Sequence, residues 1–124
     1  MRKKDQRIHE TRERLKAQMG SINELNDDDI RNVRLVLIDG ELRRVYASNA
    51  VARVLGMDDW SLKRWIKRGI MVPPSFEDDK KQPWYTRDAV VFMKEAIIEY
   101  RPVHYKLEDF AQVVQHHWSK KNGR

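Results

Sequence analysis

Two glycines limit how the central part of this chain can fold. Gly56 and Gly69 each follow a short stretch whose apolar residues recur at helical spacing. A glycine just past such a stretch is typical of a helix end, because it adopts positive φ without steric cost. The two stretches lie close together along the chain. We therefore predict two short helices joined by a tight turn, with the second helix over residues 59–68.

The first of these helices has a clear apolar side. Ser48 is expected to cap its N-terminus, and Ala52 is small where the two helices must cross closely. The expected buried face is Val51, Ala52, Val54 and Leu55.

The second helix combines an apolar side with a basic one. Asp58 is expected to cap it, and its inward residues are Leu62, Trp65 and Ile66. Lys63, Arg64 and Lys67 fall on the opposite side. Trp60 and Ser61 lie at the exposed N-terminal end, so the outer surface of this helix is predicted to be basic and aromatic.

A β-loop and a third helix follow Gly69. We predict a short strand over Ile70–Val72, a polar loop from Ser75 to Gln82, and a returning strand over Pro83–Tyr85. Thr86 is expected to cap the next helix, which carries an apolar stripe as far as Tyr100. This arrangement is typical of a wing, here assigned to residues 73–83.

Residues 33–47 predict a β-hairpin ahead of the helix pair. Apolar residues alternate along Val33–Leu37, and Asp39-Gly40 separates this run from a second β-rich run. Asp-Gly between two such runs is a strong hairpin signal. We expect one strand of the hairpin to pair with the sheet of the wing.

The remaining segments give a three-part organisation. Residues 1–27 are a charged N-terminal arm or helix, residues 28–104 hold the central domain, and residues 105–124 form a C-terminal amphipathic helix with a basic tail. The N-terminal segment is either a basic arm that follows phosphates, with Arg2 among its cations, or a solvated helix. The apolar face of the C-terminal helix either completes the core or binds a partner, and its tail ends at Arg124. That face is Leu107, Phe110, Ala111, Val114 and Trp118.

Composition favours a polyanionic partner and disfavours catalysis. The formal net charge is +6, and the absence of cysteine excludes disulfides and thiolate zinc sites. His116 and His117 are adjacent on a predicted helix and cannot bind one ion from the same face. We identify neither a carboxylate pair nor a glycine-rich phosphate loop. We therefore expect a protein that is not an enzyme and that holds no metal or cofactor.

We also predict that the chain has no membrane-spanning segment. Its longest purely apolar run, over residues 89–93, is too short to span a bilayer, and its basic N-terminus lacks the apolar core of a signal peptide. The sequence thus predicts a cytoplasmic protein.

Several of these residues together form a family pattern. The chain resembles the winged helix-turn-helix DNA-binding domains of the MerR superfamily and the related phage excisionases. The resemblance covers residues 48–100 and implies a mainly α fold with a small β component. The matching residues are Ala52, Leu55-Gly56-Met57, Asp58, Lys63-Arg64-Trp65, Gly69 and Tyr85-Thr86-Arg87-Asp88.

The resemblance implies sequence-specific binding to double-stranded DNA by a small transcription regulator or an excisionase-like architectural factor. Such a protein would belong to the bacterial cytoplasm or nucleoid and could be phage-encoded. Arg64 is the candidate for a guanine contact, and Lys63 and Lys67 are candidates for phosphate. The full set is Trp60, Ser61, Lys63, Arg64, Lys67 and Arg68 in the major groove, Lys80 and Lys81 at the wing tip, and Arg43, Arg44 and Arg53 at flanking phosphates.

The chain departs from the family pattern in two ways. Asp58-Asp59 replaces the Ser-Pro common in the family, and only residues 101–124 follow the third helix, too few for the long dimerising helix and effector domain of MerR regulators. A second interpretation stays open because Asp58, Asp59 and the acidic wing stretch Glu77-Asp78-Asp79 are all unfavourable beside phosphates. The alternative is a winged-helix assembly adaptor, such as a small-terminase-like packaging component. In either case, a homodimer or a cooperative array could form through the N-terminal or the C-terminal helix.

Overall fold

Residues 3–122 form a mixed α/β fold in the computed structural model, which describes this part of the chain. Arg2 and Arg124, assigned above to the arm and the tail, lie outside it. The described helices are α1 (Lys3–Gln18), α2 (Ser48–Leu55), α3 (Asp59–Lys67), α4 (Arg87–Tyr100) and α5 (Leu107–Lys121), with a 3₁₀ turn at Ile22–Glu24. The strands are β1 (Val33–Ile38), β2 (Glu41–Ala47), β3 (Phe76–Glu77) and β4 (Pro83–Tyr85).

The predicted hairpin is confirmed, and it belongs to a larger sheet. The four described strands are antiparallel in the order β1-β2-β4-β3. Asp39 (φ 52°) and Gly40 (φ 83°) both have the positive φ of a type I′ turn, which fits the twist of the strands it joins. Tyr46 pairs with Tyr85 on β4, so the hairpin is continuous with the sheet of the wing, as expected.

The predicted strand over Ile70–Val72 is wrong. All three residues are buried, but other partners bind their backbone: Ile70 N donates to Trp65 O, and the Tyr85 hydroxyl donates to Val72 O at 2.6 Å. No strand ladder therefore forms there. The strand that pairs with β4 is instead Phe76–Glu77, within the stretch predicted as loop.

The helix pair has the predicted turn, with one difference at its start. Gly56 (φ 73°) ends α2, and the Asp58 carboxylate accepts a hydrogen bond from Ser61 N at 2.8 Å at the start of α3. The prediction that Ser48 caps α2 is wrong. Because β2 runs to Ala47, the extended conformation of a cap falls on Ala47, and Ser48 is already a buried helical residue.

The core lies between the sheet and helices α2 to α5. Leu62, Tyr85, Met93 and Phe110 are fully buried in it. Phe110 on α5 packs against Trp65 on α3, with ring centroids 5.6 Å apart. The C-terminal helix therefore contributes Phe110 and Val114 to the core, and Leu107, Ala111 and Trp118 pack against it partly buried.

Helix α1 is anchored to the domain, although it has no fully buried residue. Leu15 packs against the core, and the Arg12 guanidinium donates to the carbonyls of Ile98 and Glu99 at 3.2 and 3.1 Å. These carbonyls belong to the last turn of α4, where backbone acceptors lack helical partners. The segment is thus a docked helix that ends at Gln18.

Among the helices within residues 3–122, none combines the length and the apolar character needed to cross a membrane.

Candidate functional site

Three side chains project from the outer side of α3. Trp60, Arg64 and Lys67 are exposed and lie three or four residues apart, which places them on one face of the helix. Trp60 is 65% exposed, unusual for the largest apolar side chain. The opposite face is held by Leu62, which is fully buried. We call these three residues the α3 stripe.

Within the α3 stripe, arginine and tryptophan form a unit. The Arg64 guanidinium carbon lies 4.6 Å from the centroid of the Trp60 ring. This is the distance of a cation–π contact, which restricts the rotamers of both side chains. The guanidinium carries five N–H donors, so this contact leaves donors available for hydrogen bonds. Arg64 is thus presented to solvent in a partly ordered form.

The two acids at the start of α3 are used within the helix. Asp58 accepts hydrogen bonds from Ser61 N (2.8 Å) and Ser61 Oγ (3.0 Å), and the backbone bond lowers the pKa of the Asp58 carboxyl. Asp59 Oδ2 lies 3.2 Å from Lys63 Nζ. Ser61 and Lys63, both predicted to contact a ligand, therefore have partners inside the helix. Any ligand that contacts Ser61 or Lys63 would compete with these partners.

One wing acid has a structural role. The Asp78 carboxylate accepts from the backbone N–H groups of Lys80 and Gln82, each at 2.9 Å, and from Trp84 Nε1 at 3.1 Å. The bond from Gln82 is the main cause of the lowered pKa of Asp78. Its side chain is only 10% exposed. The Asp78 carboxylate therefore closes the turn between β3 and β4, whereas Glu77 and Asp79 are exposed.

The same turn presents the two lysines predicted at the wing tip. Lys80 and Lys81 are both exposed, and Lys81 has a φ of 60°. Positive φ is uncommon for lysine. Here the residues before and after Lys81, Lys80 and Gln82, both donate their backbone N–H groups to the Asp78 carboxylate. The carboxylate thus fixes the backbone from which both ammonium groups extend.

Arg34 is a residue that the sequence analysis missed. Its guanidinium lies 4.5 Å from the centroid of the Trp84 ring and 3.9 Å from Asp78 Oδ2. It links the hairpin to the wing turn. No local sequence signal indicates this contact, since it depends on the order in which the strands join the sheet.

The arginines assigned to flanking phosphates do not form one surface. Arg43 lies 3.6 Å from Asp88 Oδ2, and Arg44 lies 3.5 Å from Asp27 Oδ2. As consecutive residues of β2 they point to opposite faces of the sheet. Contact of either arginine with a flanking phosphate stays a prediction, and the two side chains cannot both contact it from the same face of the sheet.

The other two candidate arginines lie on or beside the helix pair. Arg53 is exposed on α2, and Arg68 is exposed at the C-terminal cap of α3. Arg68 follows the α3 stripe directly, so it extends the basic surface at that end of the helix.

Metal-binding groups are not gathered at any point of residues 3–122, where no cluster of three or more histidine, aspartate or glutamate side chains is positioned for an ion. His117 stacks on Tyr100 at a centroid distance of 4.8 Å, and His116 meets His117 edge-on. Both rings thus have packing partners in the described structure.

Comparisons with known proteins leave the family open. The chain matches no protein-family model, no curated protein and no solved structure.

Proposed function

We propose that this protein binds double-stranded DNA through a winged helix-turn-helix, with α3 in the major groove and the β3–β4 turn on the backbone. The observation that carries the proposal is the α3 stripe. It places an exposed tryptophan, an arginine in contact with the tryptophan ring and a lysine on one face of a helix whose other face is packed into the core. The major groove is wide enough to admit such a helix.

Each member of the α3 stripe has a distinct role in this proposal. The Arg64 guanidinium can bridge O6 and N7 of one guanine, the commonest specific contact with DNA. Lys67, one turn further on, contributes a point charge that suits phosphate. Trp60 supplies an apolar surface for a thymine methyl group or a sugar, and it orders Arg64 before binding.

The internal use of the acids supports the same proposal. Asp58, Asp59 and Asp78 all have partners within the domain, so their carboxylate groups bind internal donors or cations while they keep their negative charge. The net charge of +6 then favours a polyanion. Glu77 and Asp79 remain exposed near the wing tip, which favours a wing that touches the backbone only at Lys80 and Lys81.

A salt titration of DNA binding tests the proposal. Lys67→Ala should weaken binding to all duplexes alike and lower the slope of log K against log salt by about one unit. Fluorescence anisotropy of a labelled duplex measures both quantities.

Lys4→Ala is the matched control for this titration, because it removes the same charge from exposed α1. It should leave the slope unchanged. A reduced slope for Lys4→Ala with none for Lys67→Ala would move the interface to α1 and refute the assignment to α3.

One observation favours the alternative function, an assembly adaptor. Leu35, Leu37 and Leu42 are each more than 60% exposed on the hairpin, and exposed apolar groups of this size mark protein contacts. An adaptor would show weak DNA affinity that hardly changes with salt, together with large assemblies in light scattering.

A further inference from the structure

Strand β1 is an open edge of the described sheet. The strand order places β2 on one side of it and no described strand on the other. Its sequence, Val-Arg-Leu-Val-Leu-Ile, contains no proline and only one charged residue. Prolines and charged residues are the usual features that stop a natural edge strand from pairing with another strand, so β1 has little of this protection. This edge is therefore able to accept another strand.

Hydrogen-bond alternation shows which backbone groups are free. Ala47 N donates to Asn32 O at 2.9 Å, which marks Asn32 and Ala47 as a hydrogen-bonded pair of the antiparallel ladder. Bonded and non-bonded pairs alternate along such a ladder. Arg34, Val36 and Ile38 therefore bond to β2. Val33, Leu35 and Leu37 direct their N–H and C=O groups to the open edge.

An apolar surface lies beside these free groups. Leu37 pairs with Leu42 across the hairpin, and Leu35 lies two residues before Leu37 on the same face. Their exposures are 63% for Leu35, 68% for Leu37 and 70% for Leu42. We call these three residues the leucine patch. It is contiguous and lies at the end of the sheet away from the core.

The charges of the hairpin complement those of an inverted copy. Arg31 and Arg34 are exposed at the start of β1, whereas Asp39 and Glu41 are exposed at the hairpin tip. Antiparallel pairing of two β1 strands places the basic start of one copy beside the acidic tip of the other. Opposite charges on neighbouring strands stabilise such a pair.

We propose that two copies of this chain dimerise by antiparallel pairing of their β1 edges, which joins their sheets and brings their leucine patches together. The two-fold axis passes through Val36. Leu35 of each copy then lies opposite Leu37 of the other, and both residues contribute their free backbone groups to the new ladder.

Charge selects this register over its neighbour. With Val36 on the axis, Arg34 lies opposite Ile38 of the second copy, whose neighbour on β2 is Glu41. With Leu35 on the axis, Arg34 would lie opposite Val36 of the second copy, whose neighbour on β2 is Arg43. Arg34 contacts Trp84 and Asp78 of its own chain, and its remaining electrostatic influence favours the first register, where the nearby charge of the second copy is opposite.

Sedimentation equilibrium of the full chain without DNA tests the dimer. An interface of one strand pair is small, so we expect a dissociation constant of about 10–100 µM. Leu37→Lys should weaken the dimer at least about tenfold, because it replaces part of the leucine patch with like charges across the axis. Val103→Lys makes a similar change at an exposed site outside the strands and should have no effect. A monomer at all concentrations, or equal effects of the two lysines, would overturn the proposal.

Leu35→Pro separates edge pairing from simple apolar contact. The Leu35 N–H points to the open edge, so proline removes a donor from the dimer and none from the β1–β2 ladder. The variant should remain folded by circular dichroism and should be monomeric. A folded Leu35→Pro chain that dimerises like the parent would refute backbone pairing.

Cysteine cross-linking tests the register independently of affinity. Val36 would face its own copy as a non-hydrogen-bonded pair with Cα atoms about 4.5 Å apart, within disulfide range. The natural chain has no cysteine, so Val36→Cys should give a covalent dimer under mild oxidation. Tyr105→Cys should not give a covalent dimer, although Tyr105 is more exposed than Val36, because it lies in the loop between α4 and α5 and outside the proposed interface. Cross-linking of Tyr105→Cys alone would contradict the assigned interface.

These measurements contain no DNA. Failure of dimerisation would therefore leave the proposed DNA-binding function untouched, and failure of DNA binding would leave the dimer untouched.

Discussion

Gly56 and Gly69 share a backbone conformation and differ in their surroundings. Both have φ slightly above 70° and follow a helix. The sequence predicted this much, because glycine past an amphipathic stretch is a local signal. It could not predict that the Gly56 site lies against the end of α1. A Cβ built on Gly56 would lie 2.6 Å from Gln18 O, whereas one on Gly69 meets nothing within 4 Å.

An added methyl group should therefore lower the free energy of unfolding by different amounts at the two glycines. Gly69→Ala should lower the free energy of unfolding by about 1–2 kcal/mol, the strain of a left-handed non-glycine residue. Gly56→Ala carries the same strain, and its collision with backbone should add about 1–3 kcal/mol. Urea unfolding of the two variants measures the difference. An equal loss of unfolding free energy in the two variants would mean that the end of α1 is not in close contact with the turn.

At the scale of elements, local signals predicted most helices and one hairpin. Asp58 and Thr86 cap their helices as expected, and Asp39-Gly40 forms the hairpin turn. The errors occurred where partners are distant. Ile70–Val72 is short and apolar, which suits a buried strand or a buried loop equally. Side chains from α5 and β4 bind its backbone, and this decides in favour of the loop.

The wing turn gives a prediction about pH. Hydrogen bonds lower the pKa of Asp78 in the folded state, so its contribution to stability is full above the unfolded carboxyl pKa of about 3.9 and is lost as pH falls through the folded value. Asp78→Asn should therefore be less stable than the parent at neutral pH, and the difference should shrink in acid. Urea midpoints from about pH 7 down to pH 3 measure this trend.

Asp79→Asn is the control for the wing turn, since Asp79 is the exposed neighbouring acid. It should unfold like the parent throughout this range. A constant difference between parent and Asp78→Asn at every pH would show that the charge of Asp78 does not hold the turn.

At the scale of the whole molecule, the sequence predicted a basic helix face, and the fold determines how much of it is free. Helical periodicity was sufficient to place Trp60, Arg64 and Lys67 outward. Ser61 and Lys63 also form contacts with Asp58 and Asp59 that periodicity alone does not predict. The contact of Arg34 with the wing depends on sheet order and was not predictable from any local pattern.

The two terminal segments are both attached to the central domain. The N-terminal segment was predicted as an arm or a helix, and α1 is a helix docked on α4 through Arg12. Phe110 and Val114 of α5 lie in the core. Self-association through either terminal helix stays a prediction, and our account assigns the dimer to the exposed apolar groups of the hairpin.

The most direct test of the account is selection of bound duplexes from a randomised pool by the parent and by Arg64→Ala. We predict that the parent enriches a motif containing a guanine, and that Arg64→Ala loses preference at that one position at a cost of about 1–3 kcal/mol while neighbouring positions are retained. An unchanged motif for Arg64→Ala, or no enrichment by the parent, would contradict the assignment of α3 to the major groove.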